Sequence, residues 1–121
     1  MDEIEAGKEF LQQLHAYQPV KAACWLRSED GGGRYLYVAL DGLRDDNTDA
    51  AYTEVRRIGL AMKDHDFDRF RVRLIRTTDP IAKAVMDIYR RFPGRNPTHF
   101  SGPSLGNIPV AEVYIYPTLW A

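Results

Sequence analysis

The stretch VKAACWLRSEDGGGRYLYVAL, residues 20–40, decides the fold. Residues 20–27 and 35–40 alternate as strands do, and Gly31, Gly32 and Gly33 stand between them. Two alternating runs with a glycine-rich connection predict a β-hairpin. A phosphate-binding loop is excluded, because it needs a helix and a Lys-Ser/Thr pair after the glycines, and a strand follows here.

Working outward, residues 4–17 carry Ile4, Phe10, Leu11, Leu14 and Tyr17 at helical spacing. Pro19 ends that helix, since the residue before a proline is pushed out of the helical region. After the hairpin, Asp45-Asp46-Asn47-Thr48-Asp49 is a polar turn that can cap a second helix over about 49–63. Its apolar face comprises Tyr52, Val55, Ile58, Gly59 and Met62. An arginine-alternating strand is expected over 70–76. Thr77-Thr78-Asp79-Pro80 then opens a third helix, with proline at its first position, where a missing N–H costs nothing. Ile81, Val85, Ile88 and Phe92 are its expected buried stripe, Arg90 and Arg91 complement the helix dipole, and Gly94 ends it.

From 93 to 109 the sequence changes character: seven of these 17 residues are Gly or Pro. So long a connection is uncommon in compact domains and is more often functional. A short strand around 98–101 can interrupt it. A last strand follows over 112–116, then a tail whose Leu119 and Trp120 are expected to dock on something apolar. The order is helix, strand, strand, helix, strand, helix, long loop, strand. It predicts one α+β domain over 1–121: a two-layer sandwich with a mixed sheet of four or five strands and about three helices on one face.

Side chains alternate across a strand, so each strand divides into two faces. One set is Val20, Ala22, Cys24, Leu26, Leu36, Val38, Leu40, Phe70, Val72, Leu74, Val113 and Ile115, an ordinary core. The other holds Trp25, Tyr35, Tyr37, Arg71, Arg73, Tyr114 and Tyr116, together with Lys21, Arg27 and Arg69. Were all the helices on the first face, the second would be open. Its aromatic and arginine content suits recognition: Tyr, Trp and Arg are enriched at protein interfaces. Aromatic rings on a sheet can also stack nucleic-acid bases. The plain alternative is that cross-strand Tyr–Arg pairs stabilise a solvated sheet. The strand order does not match the RNA-binding sheets of the ferredoxin-like type, and no Gly-Phe-Val-Phe-like signature is present.

The 121 residues have a net charge of −1, which offers no global electrostatic case for nucleic acid. The distribution is uneven: 5 Lys/Arg face 11 Asp/Glu over 1–54, whereas 11 face 5 over 55–95. The two halves either neutralise one another in the fold or present a basic surface to an anionic partner. No apolar run approaches a bilayer span, and the acidic Met1-Asp2-Glu3-Ile4-Glu5 is unlike a secretory signal, so a cytoplasmic chain without membrane association is expected. The single cysteine, Cys24, reads as a small buried hydrophobe.

Few residues suggest chemistry. Asp64-His65-Asp66-Phe67-Asp68 has carboxylates at alternate positions, but Arg69 occupies the sixth place of a calcium loop and Ile75 the twelfth, where Gly and Glu are required. No metal or cofactor is implied. His99, with Arg95 before it in the long loop, is the best catalytic candidate: His as general acid or base and Arg stabilising a phosphorane would suit a small nuclease or phosphate-transferring enzyme. The preferred expectation is a non-enzymatic module binding a protein partner or a second copy through Trp25, Tyr35, Tyr37, Arg71, Arg73, Tyr114 and Tyr116. Single-stranded RNA or a nucleotide is the further alternative.

Overall fold

The computed structural model describes residues 3–28, 33–62, 67–92, 97–100, 104–105 and 108–117. Helix α1 (Glu3–Tyr17) leads to strands β1 (Val20–Ser28) and β2 (Arg34–Leu40), then α2 (Thr48–Ala61). A 3-10 turn (Arg69–Arg71) precedes β3 (Val72–Arg76) and α3 (Pro80–Arg91). Strands β4 (Thr98–Phe100), β5 (Ser104–Leu105) and β6 (Ile108–Ile115) complete the order. The fold is α+β, with the expected succession of elements. The sheet runs β3-β2-β1-β6-β4, with β5 attached to β6. It is mixed: β2 and β3 are parallel, and the other pairs are antiparallel.

Local chemistry places the elements. Asp79 caps α3 as expected, its Oδ1 accepting from the Ile81 N–H at 2.9 Å, with Pro80 beginning the helix. Asn47 caps α2 by position, but its side chain serves the preceding turn, accepting from the Arg44 N–H and donating to the Gly42 carbonyl. Asp68 accepts from the Phe70 N–H and sets the 3-10 turn, so the third strand begins at Val72 rather than 70. Phe70 consequently stands 68% exposed instead of entering the core. On α3, Ile81 and Val85 are buried and Ile88 partly so, but Phe92 is 71% exposed. Asp64, His65, Asp66, Arg95, Gly94, Leu119 and Trp120 lie outside the described residues.

Two separate cores flank the sheet. Helices α1 and α2 cover one face: Phe10, Leu11, Leu14, Val55 and Ile58 pack on Ala23, Trp25, Leu36, Val38 and Leu74. That is the expected two-layer packing. Helix α3 departs from it, burying Ile81, Ala82 and Val85 on the reverse face against Ala22, Cys24, Leu26, Ala39, Val113 and Ile115. It starts behind the β3 edge, and near its end the Tyr89 hydroxyl donates to the Tyr116 carbonyl at 2.6 Å, so it crosses the sheet before β4 forms the opposite edge. Over residues 22–26 both faces of β1 are therefore apolar and buried.

Two irregularities in the ladders reset the alternation. One lies between Val20 and Ala22, and turns Val20 to the α1 side with Ala23 and Trp25. The other lies between Arg27 and Ser28, opposite β6, and brings Val110 to the α3 side with Val113 and Ile115.

Cys24 is buried in the α3-side core, and burial pushes its thiol from 9.0 up to about 12. Below pH 9 both folded and unfolded chains keep the proton and stability is unaffected by it. Between 9 and about 12 the unfolded chain releases the proton and the folded one does not, so stability falls. Burial raises Tyr89 in the same direction. The urea midpoint is expected to be lower at about pH 10.5 than at about pH 8, with a smaller fall in Cys24→Ala. Equal falls in both chains would show that another group carries the alkaline transition.

Candidate functional site

The register divides the aromatic and basic residues between the two faces. Directly opposed residues of an antiparallel pair share a face. Leu26 opposes Tyr35 and Cys24 opposes Tyr37, so both tyrosines lie on the α3 side. Trp25 opposes Leu36 and Tyr114, which puts it on the α1 side. The single open face anticipated from alternation is thus corrected. Trp25 is 1% exposed and Tyr116 2%, both beneath α1, and neither is available to a partner. Tyr114 is half-buried beside them, its ring edge-on to Tyr116 at 5.2 Å.

What holds Trp25 and Tyr116 inside is a buried polar relay. The Trp25 Nε1–H donates to the Tyr116 hydroxyl at 2.8 Å, and that hydroxyl donates to the Ile4 carbonyl at 2.6 Å. Gly7 makes the approach possible: a Cβ there would overlap Tyr116 Oη and lie 3.2 Å from Trp25 Nε1. Above the relay, Arg34 pairs with Glu3 and Glu112, and Arg27 with Glu112, so four charges join α1, β1, β2 and β6.

Tyr35, Tyr37, Arg71 and Arg73 do come together, on the β2–β3 side of the α3 face. Tyr35 and Tyr37 are half-exposed and Arg73 is exposed. The Arg73 guanidinium lies 4.6 Å from the Tyr35 ring centroid, and that of Arg71 lies 5.6 Å from it. Such cation–π contacts are worth about 0.5–1 kcal/mol at exposed sites. Arg71 is further fixed by donating Nη1 to the Arg34 carbonyl at 3.2 Å, and an added Cβ at Gly33 would overlap that nitrogen. Arg73 faces Tyr37 across the parallel ladder. Burial raises the Tyr37 hydroxyl, Arg73 partly opposes this, and the Asp79 carboxylate adds to it. Tyr37 therefore stays protonated at neutral pH as a hydrogen-bond donor.

Among the described residues two ion pairs join the acidic and basic halves, Asp45 with Arg76 and Glu54 with Arg57. Arg56, Arg73 and Lys83 have no carboxylate partner among the described residues. Of the catalytic candidates, His99 lies in β4 opposite Tyr114, on a strand at the other side of the sheet from Arg73. Among the described residues no group of three or more His, Cys, Asp or Glu could hold a metal ion, and no helix is long and apolar enough to cross a membrane. Comparison with protein-family models, with curated proteins and with solved structures finds no match to this chain.

Proposed function

We propose that the chain is a non-enzymatic macromolecule-binding module that seats a protein partner, or a second copy of itself, on Tyr35, Tyr37, Arg71 and Arg73. The observation that carries this reading is Arg73: exposed, stacked on Tyr35, and without a carboxylate partner among the described residues. A guanidinium pre-oriented by an aromatic ring loses little freedom when a partner binds it, and Tyr–Arg clusters are where interface energy concentrates. A reducing cytoplasm suits the reading, because the sole cysteine is buried and unpaired.

Side chains rather than edge pairing would make the contact. On the β3 edge, the Leu74 N–H donates to the Tyr52 hydroxyl at 3.0 Å and the Val72 N–H returns to the Arg69 carbonyl. With these donors occupied, an added strand finds little to pair with.

Light scattering coupled to size exclusion, at low and high salt, with and without a short RNA, tests this. A dimer that persists at high salt and ignores RNA is the expected result. Arg73→Glu should weaken it about tenfold with an unchanged melting temperature, since interface arginines commonly contribute that much. A monomer that shifts only with RNA and only at low salt would replace the reading with nucleic-acid binding, whose affinity falls steeply with salt.

A further inference from the structure

A groove of about 580 Å3 runs along α3, lined by Thr77, Lys83, Met86, Tyr89 and Arg90. That volume is in the range of small-molecule sites, about 300–1,000 Å3. Its four helical residues fall at i, i+3, i+6 and i+7, a stripe that borders the buried Ile81, Ala82 and Val85, with Met86 and Tyr89 packed partly against that core. The walls are mainly carbon. Tyr89 explains part of this: its hydroxyl is turned into the sheet, accepting from the Ala23 N–H at 3.4 Å and donating to the Tyr116 carbonyl, which leaves ring carbon for the groove. Met86 is an adaptable apolar surface beside it.

Charge distinguishes the two ends. Lys83 and Arg90 are seven residues apart, about 10 Å along the helix. Arg90 is engaged by Asp87 at 3.0 Å, and the same carboxylate holds Arg91. Lys83 has no carboxylate partner, and the Thr77 hydroxyl no hydrogen bond, among the described residues. An uncommitted cation and a hydroxyl donor thus share the groove with an apolar floor.

We propose that this groove binds an amphipathic carboxylate, its anionic head on Lys83 and Thr77 and its aliphatic body along Met86 and Tyr89. The site is separate from the Tyr35–Arg73 surface, and either can fail without the other.

Calorimetric titration of the full chain with sodium decanoate, kept below micelle formation, tests the proposal. Saturable one-to-one binding is expected, weakened about tenfold or more when the cation is reversed in Lys83→Glu. 1-Decanol, with the same body and no charge, should bind less tightly by a similar factor. Met86→Gln should weaken decanoate while leaving the preference for the acid over the alcohol. Lys83 is exposed, so the variant's circular dichroism and melting temperature should match the parent's. No saturable binding, equal binding of decanoate and decanol, or indifference to Lys83→Glu would each overturn the proposal. So would association with phosphatidylglycerol vesicles in the absence of binding to monomeric decanoate.

Discussion

Gly7→Ala is expected to destabilise the protein by about 3 kcal/mol, lowering its melting temperature by about 10 °C. The direction is opposite to the local expectation, since alanine in a helix interior gains about 1 kcal/mol over glycine. The new methyl would occupy the place of Tyr116 Oη. That hydroxyl accepts from Trp25 Nε1–H and donates to the Ile4 carbonyl, so displacing it strands a buried donor. An unsatisfied buried group costs about 1–3 kcal/mol, and the shift of α1 against its tight core adds to it. The double variant separates the causes. Tyr116→Phe alone should cost about 2 kcal/mol through the orphaned indole N–H. Combined with Gly7→Ala it should cost no more, because the overlapping oxygen is gone; this is coupling of opposite sign to simple addition. Urea unfolding of the four chains measures all three values. A Gly7→Ala chain as stable as the parent would show that the relay does not depend on the missing side chain.

Tyr89→Phe is expected to cost about 2 kcal/mol, although it removes a single oxygen. The Tyr116 N–H donates to the Ala23 carbonyl at 3.1 Å, so these residues face each other as a ladder pair. The reciprocal bond is not direct: the Tyr89 hydroxyl stands between the Ala23 N–H and the Tyr116 carbonyl and satisfies both. Phenylalanine leaves two backbone groups facing a ring edge. Hydrogen exchange gives the specific signature, with the Ala23 amide losing protection more than its neighbours, while the Tyr116 amide keeps its partner. If Ala23 exchanges no faster in the variant, the hydroxyl is not what closes this end of the ladder.

Both effects belong to tertiary structure, and they mark where sequence reading reaches its limit. Gly7 reads as an unremarkable helical residue, since nothing local announces that a tyrosine 109 positions later will lie against it. Tyr89 falls next to the apolar stripe of its helix, where a ring in the core would be read without a role for its oxygen. The local devices were readable because their causes are local. Asp79 and Pro80 begin α3 as capping chemistry requires, Pro19 follows α1, and β1 pairs antiparallel with β2.

The proposed binding surface shows the same division. Alternation held along Ala22–Leu26 and along β2 but failed at Val20, which the irregularity turns over, and at Phe70, which precedes β3; nor does alternation say which face of one strand adjoins which face of the next. Polarity grouped Trp25 with Tyr35 and Tyr37; register separates them, because Leu36 opposes Trp25 and the tyrosines oppose Leu26 and Cys24. A shift of one residue exchanges every side chain between faces. The bulges at Val20/Ala22 and Arg27/Ser28 add two such shifts. With α3 on the reverse face, β1 is buried on both sides over residues 22–26, and its Trp25 belongs to the core.

By itself, then, the sequence determined the kinds of elements, their order and the α+β class, since propensity, capping and periodicity act over a few residues. It also put Tyr35, Tyr37, Arg71 and Arg73 on one face with Trp25, Tyr114 and Tyr116, and of these the fold brings the first four together. Tertiary structure alone decided the placing of α3, the sorting of the aromatic residues between faces, and the Trp25–Tyr116–Ile4 relay. Each of these depends on pairing between residues far apart in the chain, and it is the packing of both faces at once that selects among the registers local preference leaves open.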